Sequence, residues 1–143
     1  MIVHVLGYLG LIPFVASPFF LLMDESVFVF SPERLFLTYS AVILTFMSGA
    51  LWGRCVADSQ SRHSLSFLLS NVFTLLAWVV MLLGHAFYYF GLTLCCLGFA
   101  MIWVLERRLG GNSSEIQGYW VLRTRLTFVV VVMHCVMLGL LAG

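Results

Sequence analysis

Leu65–Leu105 reads LSFLLSNVFTLLAWVVMLLGHAFYYFGLTLCCLGFAMIWVL, 41 residues without one Asp, Glu, Lys or Arg. A single α-helix of that length would be a rod of about 60 Å, twice the roughly 30 Å hydrocarbon core of a bilayer. Two spans joined by a tight turn at Gly84-His85 resolve the conflict. The stretch therefore reads as a transmembrane hairpin, with spans over residues 65–83 and 86–105.

The rest of the chain follows the same pattern. Uncharged apolar runs recur at Ile2–Met23, Leu35–Gly53 and Leu126–Ala142, separated by polar punctuation at Asp24–Arg34, Arg54–Ser64 and Glu106–Arg125. The expected fold is an all-α membrane protein. It is a single domain over residues 1–143, one bundle of five transmembrane helices at about 2–23, 32–53, 65–83, 86–105 and 120–142. Composition agrees: of 143 residues, 62% are hydrophobic and 9% charged, against about 25% charged in a typical soluble domain. A net charge of +1 with no long basic run excludes a nucleic-acid partner. The first span has no preceding basic residue and too long an apolar run for a secretory signal, so it is expected to be retained.

Every basic residue is Arg, and position sets orientation. Five spans put Arg54, Arg62, Arg107, Arg108, Arg123 and Arg125 on one side and Arg34 alone on the other. By the positive-inside rule the Arg-rich side is cytoplasmic, which places the amino terminus inside and the carboxyl terminus in the periplasm of a bacterial inner membrane. No formal charge falls within the five apolar runs. Trp52, Trp103 and Trp120 sit near the Arg-rich interface, where an aromatic belt is expected.

Local signals refine the boundaries. Ser31-Pro32-Glu33 has the form of a helix start: a capping hydroxyl, a proline at the first position and an acid at the positive dipole end. Gly110-Gly111 can end the fourth span, and Ser114 with Gln117 fits a capping box that starts the last helix near Glu115.

Without water in the core, spanning helices associate through small residues and interhelical hydrogen bonds. On the second span Thr38, Ala41, Thr45, Ser48, Gly49, Trp52 and Gly53 fall broadly on one face, with Gly49 and Gly53 forming G-x-x-x-G. That face is expected to be a buried seam within the monomer, pairing of two protomers being the other use. On the first span Pro13 and Pro18 free the carbonyls of Leu9 and Phe14, so a bend or widened turn is expected, satisfied by neighbours such as Ser17 or lining a cavity.

The candidate intramembrane polar site comprises His134, Asn71, Thr127 and Thr45. His134 lies mid-span on a stripe with Arg123, Thr127, Val130 and Leu141, which should point into the bundle. An ionisable group at that depth is a functional hypothesis by default, beside its use as a neutral bridge. Bis-histidine haem ligation would need a second histidine at like depth, and His4, His63 and His85 lie elsewhere. Asn71, about 10 Å along its helix, either joins two helices or meets a ligand. The guanidinium cluster Arg54, Arg107, Arg108, Arg123 and Arg125 suits an anionic lipid headgroup or a partner's acidic surface, although topology alone also requires arginines there, with Glu106 pairing locally. Cys55, Cys95, Cys96 and Cys135 contain no C-x-x-C and read as small hydrophobes. No catalytic motif, metal set or cofactor site is found, and none is expected.

Several strings together, Gly10-Leu-Ile-Pro-Phe14, Tyr39-Ser-Ala-Val-Ile-Leu44 leading to Gly49-Ala-Leu-Trp-Gly53, Leu75-Leu-Ala-Trp78, Glu106-Arg-Arg-Leu109 and Leu122-Arg-Thr-Arg-Leu-Thr127, resemble a family of small multi-pass proteins of unknown function. Its mitochondrial members are called transmembrane protein 69. The resemblance covers nearly the whole chain and implies an inner-membrane protein of about five spans, with no established activity and no catalytic residue to carry over. The expected role is a non-enzymatic scaffold, assembly or accessory subunit, surrounded by membrane lipids and associated with a partner membrane protein or a second copy. The alternative is a lipid- or quinone-binding protein or small transporter built on the polar pocket.

Overall fold

The computed structural model describes residues 2–23, 31–57, 64–109 and 114–142. The elements are α1 (Ile2–Leu9), α2 (Ile12–Leu22), α3 (Pro32–Ala57), α4 (Ser64–Leu83), a 3₁₀ turn (Gly84–Phe87), α5 (Tyr88–Leu109) and α6 (Ser114–Ala142). Together α1 and α2 make one span, and with α3 to α6 they give five apolar helices of membrane-crossing length.

The hairpin turns where the 41-residue run required it. Gly84 takes φ +52°, a left-handed conformation open to a residue without Cβ, and the 3₁₀ turn delays α5 to Tyr88. α3 starts at Pro32 with Glu33 in its first turn. The Ser31 cap differs from expectation: its carbonyl accepts from the Leu35 N–H at 3.1 Å, but its hydroxyl makes no hydrogen bond among the described residues. The Gly110-Gly111 terminator, Arg62 and His63 lie outside the described residues.

The first span breaks at Gly10-Leu11, just ahead of Pro13, which occupies the first turn of α2. A proline there is tolerated because the first-turn N–H has no helical partner. The Tyr39 hydroxyl of α3 donates to the Gly10 carbonyl at 2.9 Å, and Ser17 donates to the Pro13 carbonyl at 2.8 Å. These bonds hold the Gly10 carbonyl at the break and the Pro13 carbonyl beyond it, rather than those of Leu9 and Phe14, and Pro18 is buried inside α2.

A stripe of buried residues at alternating steps of three and four runs along the long helices. On α3 it comprises Leu37, Ala41, Leu44, Ser48, Leu51 and Cys55, flanked by the buried Phe36 and Ser40; on α4 it is Ser66, Ser70, Phe73, Ala77 and Val80. On α5 Tyr88, Leu92, Cys95, Phe99, Ile102 and Glu106 follow the same rule, as do Trp120, Arg123, Val130, His134 and Met137 on α6 once the half-buried Thr127 is counted between Arg123 and Val130. A sustained 3.5-residue repeat is the pattern of left-handed helix packing. The helices close a ring in the order α2, α3, α4, α5, α6, with α3 also touching α5 across the middle and α1 resting on α6.

This register corrects the expected seam on α3. Gly49 and Gly53 face outward, and a Cβ built on either would meet nothing within 4 Å. Thr38, Thr45 and Trp52 are exposed with them, while Ala41 and Ser48 alone of that face are buried. The buried stripe is rotated from the expected face by about one residue, roughly 100°, because the large residues Leu37, Leu44 and Leu51 set the inward direction. Close packing falls to α5 instead. A Cβ on Gly98 would stand 2.9 Å from Leu44 Cδ1, and one on Gly91 would stand 3.2 Å from Leu37 Cδ1, so these two glycines admit leucines of α3.

Candidate functional site

At the Arg-rich end, α5 and α6 each bring an ionisable side chain inside the bundle. Glu106 is fully buried and Arg123 nearly so. Arg123 Nε donates to Glu106 Oε2 at 2.7 Å, and its Nη1 lies against Met47 Sδ of α3. Arg54, near the carboxyl end of α3, places Nη1 3.8 Å from Glu106 Oε1, an ion pair too long for a hydrogen bond. Its guanidinium carbon lies 5.0 Å from the centroid of the buried Trp120 ring and 5.7 Å from that of Tyr119. Glu106 thus ties α3, α5 and α6 together by charge, with an indole under one of its cations.

Glu106 was not among the candidates, and the sequence carries two signals for it. It continues the inward α5 stripe four residues after Ile102, and it is an acid in the last turn of a helix, where the dipole disfavours negative charge. A carboxylate in that position needs a cation close by, which Arg123 supplies. The expectation that charge stays outside the bundle therefore fails at Glu106 and Arg123. Trp120, expected in an interfacial belt, is buried and packed beneath Arg54.

The arginine cluster accordingly divides. Arg123 and Arg54 turn towards Glu106, whereas Arg107, Arg108 and Arg125 stay exposed, with Arg107 stacked over Trp103 at 5.2 Å. Trp103 Nε1 donates to Thr124 Oγ1 at 3.1 Å, a second polar tie between α5 and α6.

Mid-bundle, His134 is fully buried on the expected stripe. Its ring stands 4.8 Å from Phe36, 5.6 Å from Phe99 and 5.9 Å from Phe14, measured between centroids, so rings from α2, α3, α5 and α6 converge. Nδ1 is 2.8 Å from the Val130 carbonyl. A carbonyl only accepts, so Nδ1 carries the hydrogen and Nε2 is the nitrogen left without a partner among the described residues. This enclosure by phenyl rings makes His134 part of the packing core.

The other members of the expected polar site do not join it. Asn71 is exposed and donates to the Phe67 carbonyl of its own helix at 2.9 Å. Thr45 is exposed and donates to the Ala41 carbonyl at 2.9 Å. Thr127 is half-buried, one helical turn from Arg123. Short polar side chains in apolar helices satisfy themselves on the preceding turn, which removes the need for an interhelical partner. Asn71 and Thr45 thus lie on outer faces, away from the core that encloses His134. All four cysteines are free thiols, Cys55 and Cys95 inside and Cys135 exposed. Among the described residues no three His, Cys, Asp or Glu side chains gather in a metal-binding group.

The architecture, five apolar helices with few convergent polar groups, has a counterpart among sequence families. A model described as "Protein of unknown function (DUF3429)" matches residues 1–139. Neither a curated protein nor a solved structure matches the chain. With that match extending over nearly all of the five-helix bundle, the chain belongs to the DUF3429 family.

Proposed function

We propose that the protein is a non-enzymatic scaffold, assembly or accessory subunit of a membrane complex. The observation that carries this reading is the outward face of α3. Gly49 and Gly53, one helical turn apart, leave open space beside the backbone, while the bundle's own close approaches use Gly7, Gly91 and Gly98. A G-x-x-x-G face turned to lipid lets a neighbouring spanning helix approach closely. The interior adds weight: Glu106, Arg123 and Arg54 hold one another, and His134 is packed in phenyl rings. The exposure of Asn71 and Thr45 takes support from the pocket-based alternative.

The asymmetry of the arginines supports a cytoplasmic amino terminus and a periplasmic carboxyl terminus in a bacterial inner membrane.

Native mass spectrometry of the protein extracted in mild detergent tests the role. The expected species carries a partner chain or a second copy at fixed stoichiometry, and Gly49→Leu with Gly53→Leu releases it without lowering the melting temperature of the released bundle. A lone monomer retaining a small molecule that His134→Ala removes would instead favour the pocket reading, and an assembly indifferent to both glycine changes would refute the α3 face.

A further inference from the structure

At the end of the bundle opposite the Glu106 cluster, two adjacent clefts share Tyr88 as a wall. The first, with a volume of about 370 Å³, is lined by Ser31, Glu33, Tyr88, Tyr89 and Leu141. Its polar atoms are biased towards acceptance. Tyr88 donates its hydroxyl hydrogen to the Glu33 carbonyl at 2.8 Å, and Tyr89 donates its own to the Leu141 carbonyl. Glu33 Oε2 and Ser31 Oγ are both buried and have no hydrogen-bond partner among the described residues. A carboxylate oxygen, a hydroxyl and two tyrosine rings around one small space suit an ammonium group. It brings three donors and a positive charge, to a carboxylate that accepts charge-assisted bonds and rings that attract a cation.

The second cleft, about 490 Å³, runs between α3 and α4. Leu35, Leu37, Val80, Met81 and Leu82 supply apolar wall, and the exposed Arg34, next in sequence to Glu33 of the first cleft, also lines it. A guanidinium matches phosphate geometry, and an apolar channel along two spanning helices matches an acyl chain.

From this juxtaposition we infer that the Glu33 end of the bundle binds an aminophospholipid: the primary ammonium in the Glu33–Ser31–tyrosine cleft, the phosphate towards Arg34 and an acyl chain in the α3–α4 groove. The charge order, acid then base along α3 and then an apolar groove, follows the order of ammonium, phosphate and chain in phosphatidylethanolamine. This site is independent of the α3 glycine face and of the assembly role.

Retention of added lipids of equal chain length, read by native mass spectrometry on the full chain, tests it. Phosphatidylethanolamine is expected to be retained over phosphatidylglycerol and phosphatidylcholine by about tenfold, the scale of one charge-assisted hydrogen bond. Glu33→Gln should abolish that preference, and Phe128→Leu on the outer face of α6, away from both clefts, should leave it intact. Soluble glycerophosphoethanolamine, the headgroup without chains, should compete poorly. Equal retention of the three lipids overturns the inference, as does a folded Glu33→Gln protein that keeps the preference. Binding of the chainless headgroup as tight as the lipid also overturns it, since that result describes a free-amine site. Should Glu33→Gln fail to fold, Tyr89→Leu decides the matter: Tyr89 is exposed, and loss of its ring should weaken phosphatidylethanolamine retention several-fold, an unchanged value counting against the site.

Discussion

Glu106 and Arg123 form a pair whose members depend on each other more than the fold depends on both. A buried ion pair gains little over well-packed apolar residues, but a single survivor is an uncompensated charge. Arg123→Met is therefore expected to destabilise the bundle by about 3–5 kcal/mol, with Arg54, at 3.8 Å, able to recover only part of it. The double variant Glu106→Leu/Arg123→Met should regain at least half of that loss. Equilibrium unfolding in detergent measures both, and a double variant no better than the single one contradicts the pairing. Of the residues inside the bundle, His134 could be read directly, as the one histidine in mid-span on an inward stripe. Glu106 was harder to see because it stands next to Arg107 and Arg108, and three charges in a row suggest a loop. Its place was set by the α5 register, which a charge count ignores.

At the scale of elements, the expectation about glycine was right in kind and misplaced in position. Small residues do permit close helix approach here, but at Gly91 and Gly98 of α5 rather than at Gly49 and Gly53 of α3. Gly98→Ala should cost about 1–3 kcal/mol, because its Cβ would stand 2.9 Å from a Leu44 methyl that is itself buried. Adding Leu44→Val should return part of the loss, whereas Gly49→Ala and Gly53→Ala should stay within about 0.5 kcal/mol of the parent. Thermal melting of the monomer in detergent separates the two pairs of glycines, and equal costs at both would contradict the helix register. The break in the first span was also foreseeable from Pro13. Its repair was not, because the donor to Gly10 is Tyr39, 29 residues away on another helix.

For the whole molecule, the uneven distribution of arginines makes a claim about the membrane. A periplasm-active reporter fused after Gly143 is expected to be active, and the same reporter fused after Gly111 inactive. The reverse pattern would invert the protein and move the Glu33 clefts to the cytoplasmic leaflet. The number of spans, the hairpin at Gly84 and the gathering of arginines at one end follow from length, hydropathy and charge, which are properties of each segment against its solvent. Which face of each helix turns inward is different, because lipid is as apolar as leucine and supplies no contrast to read. Packing between helices made that choice: it rotated Gly49 and Gly53 outward, drew Glu106 in against Arg123, enclosed His134 in phenyl rings and opened the paired clefts beside Tyr88.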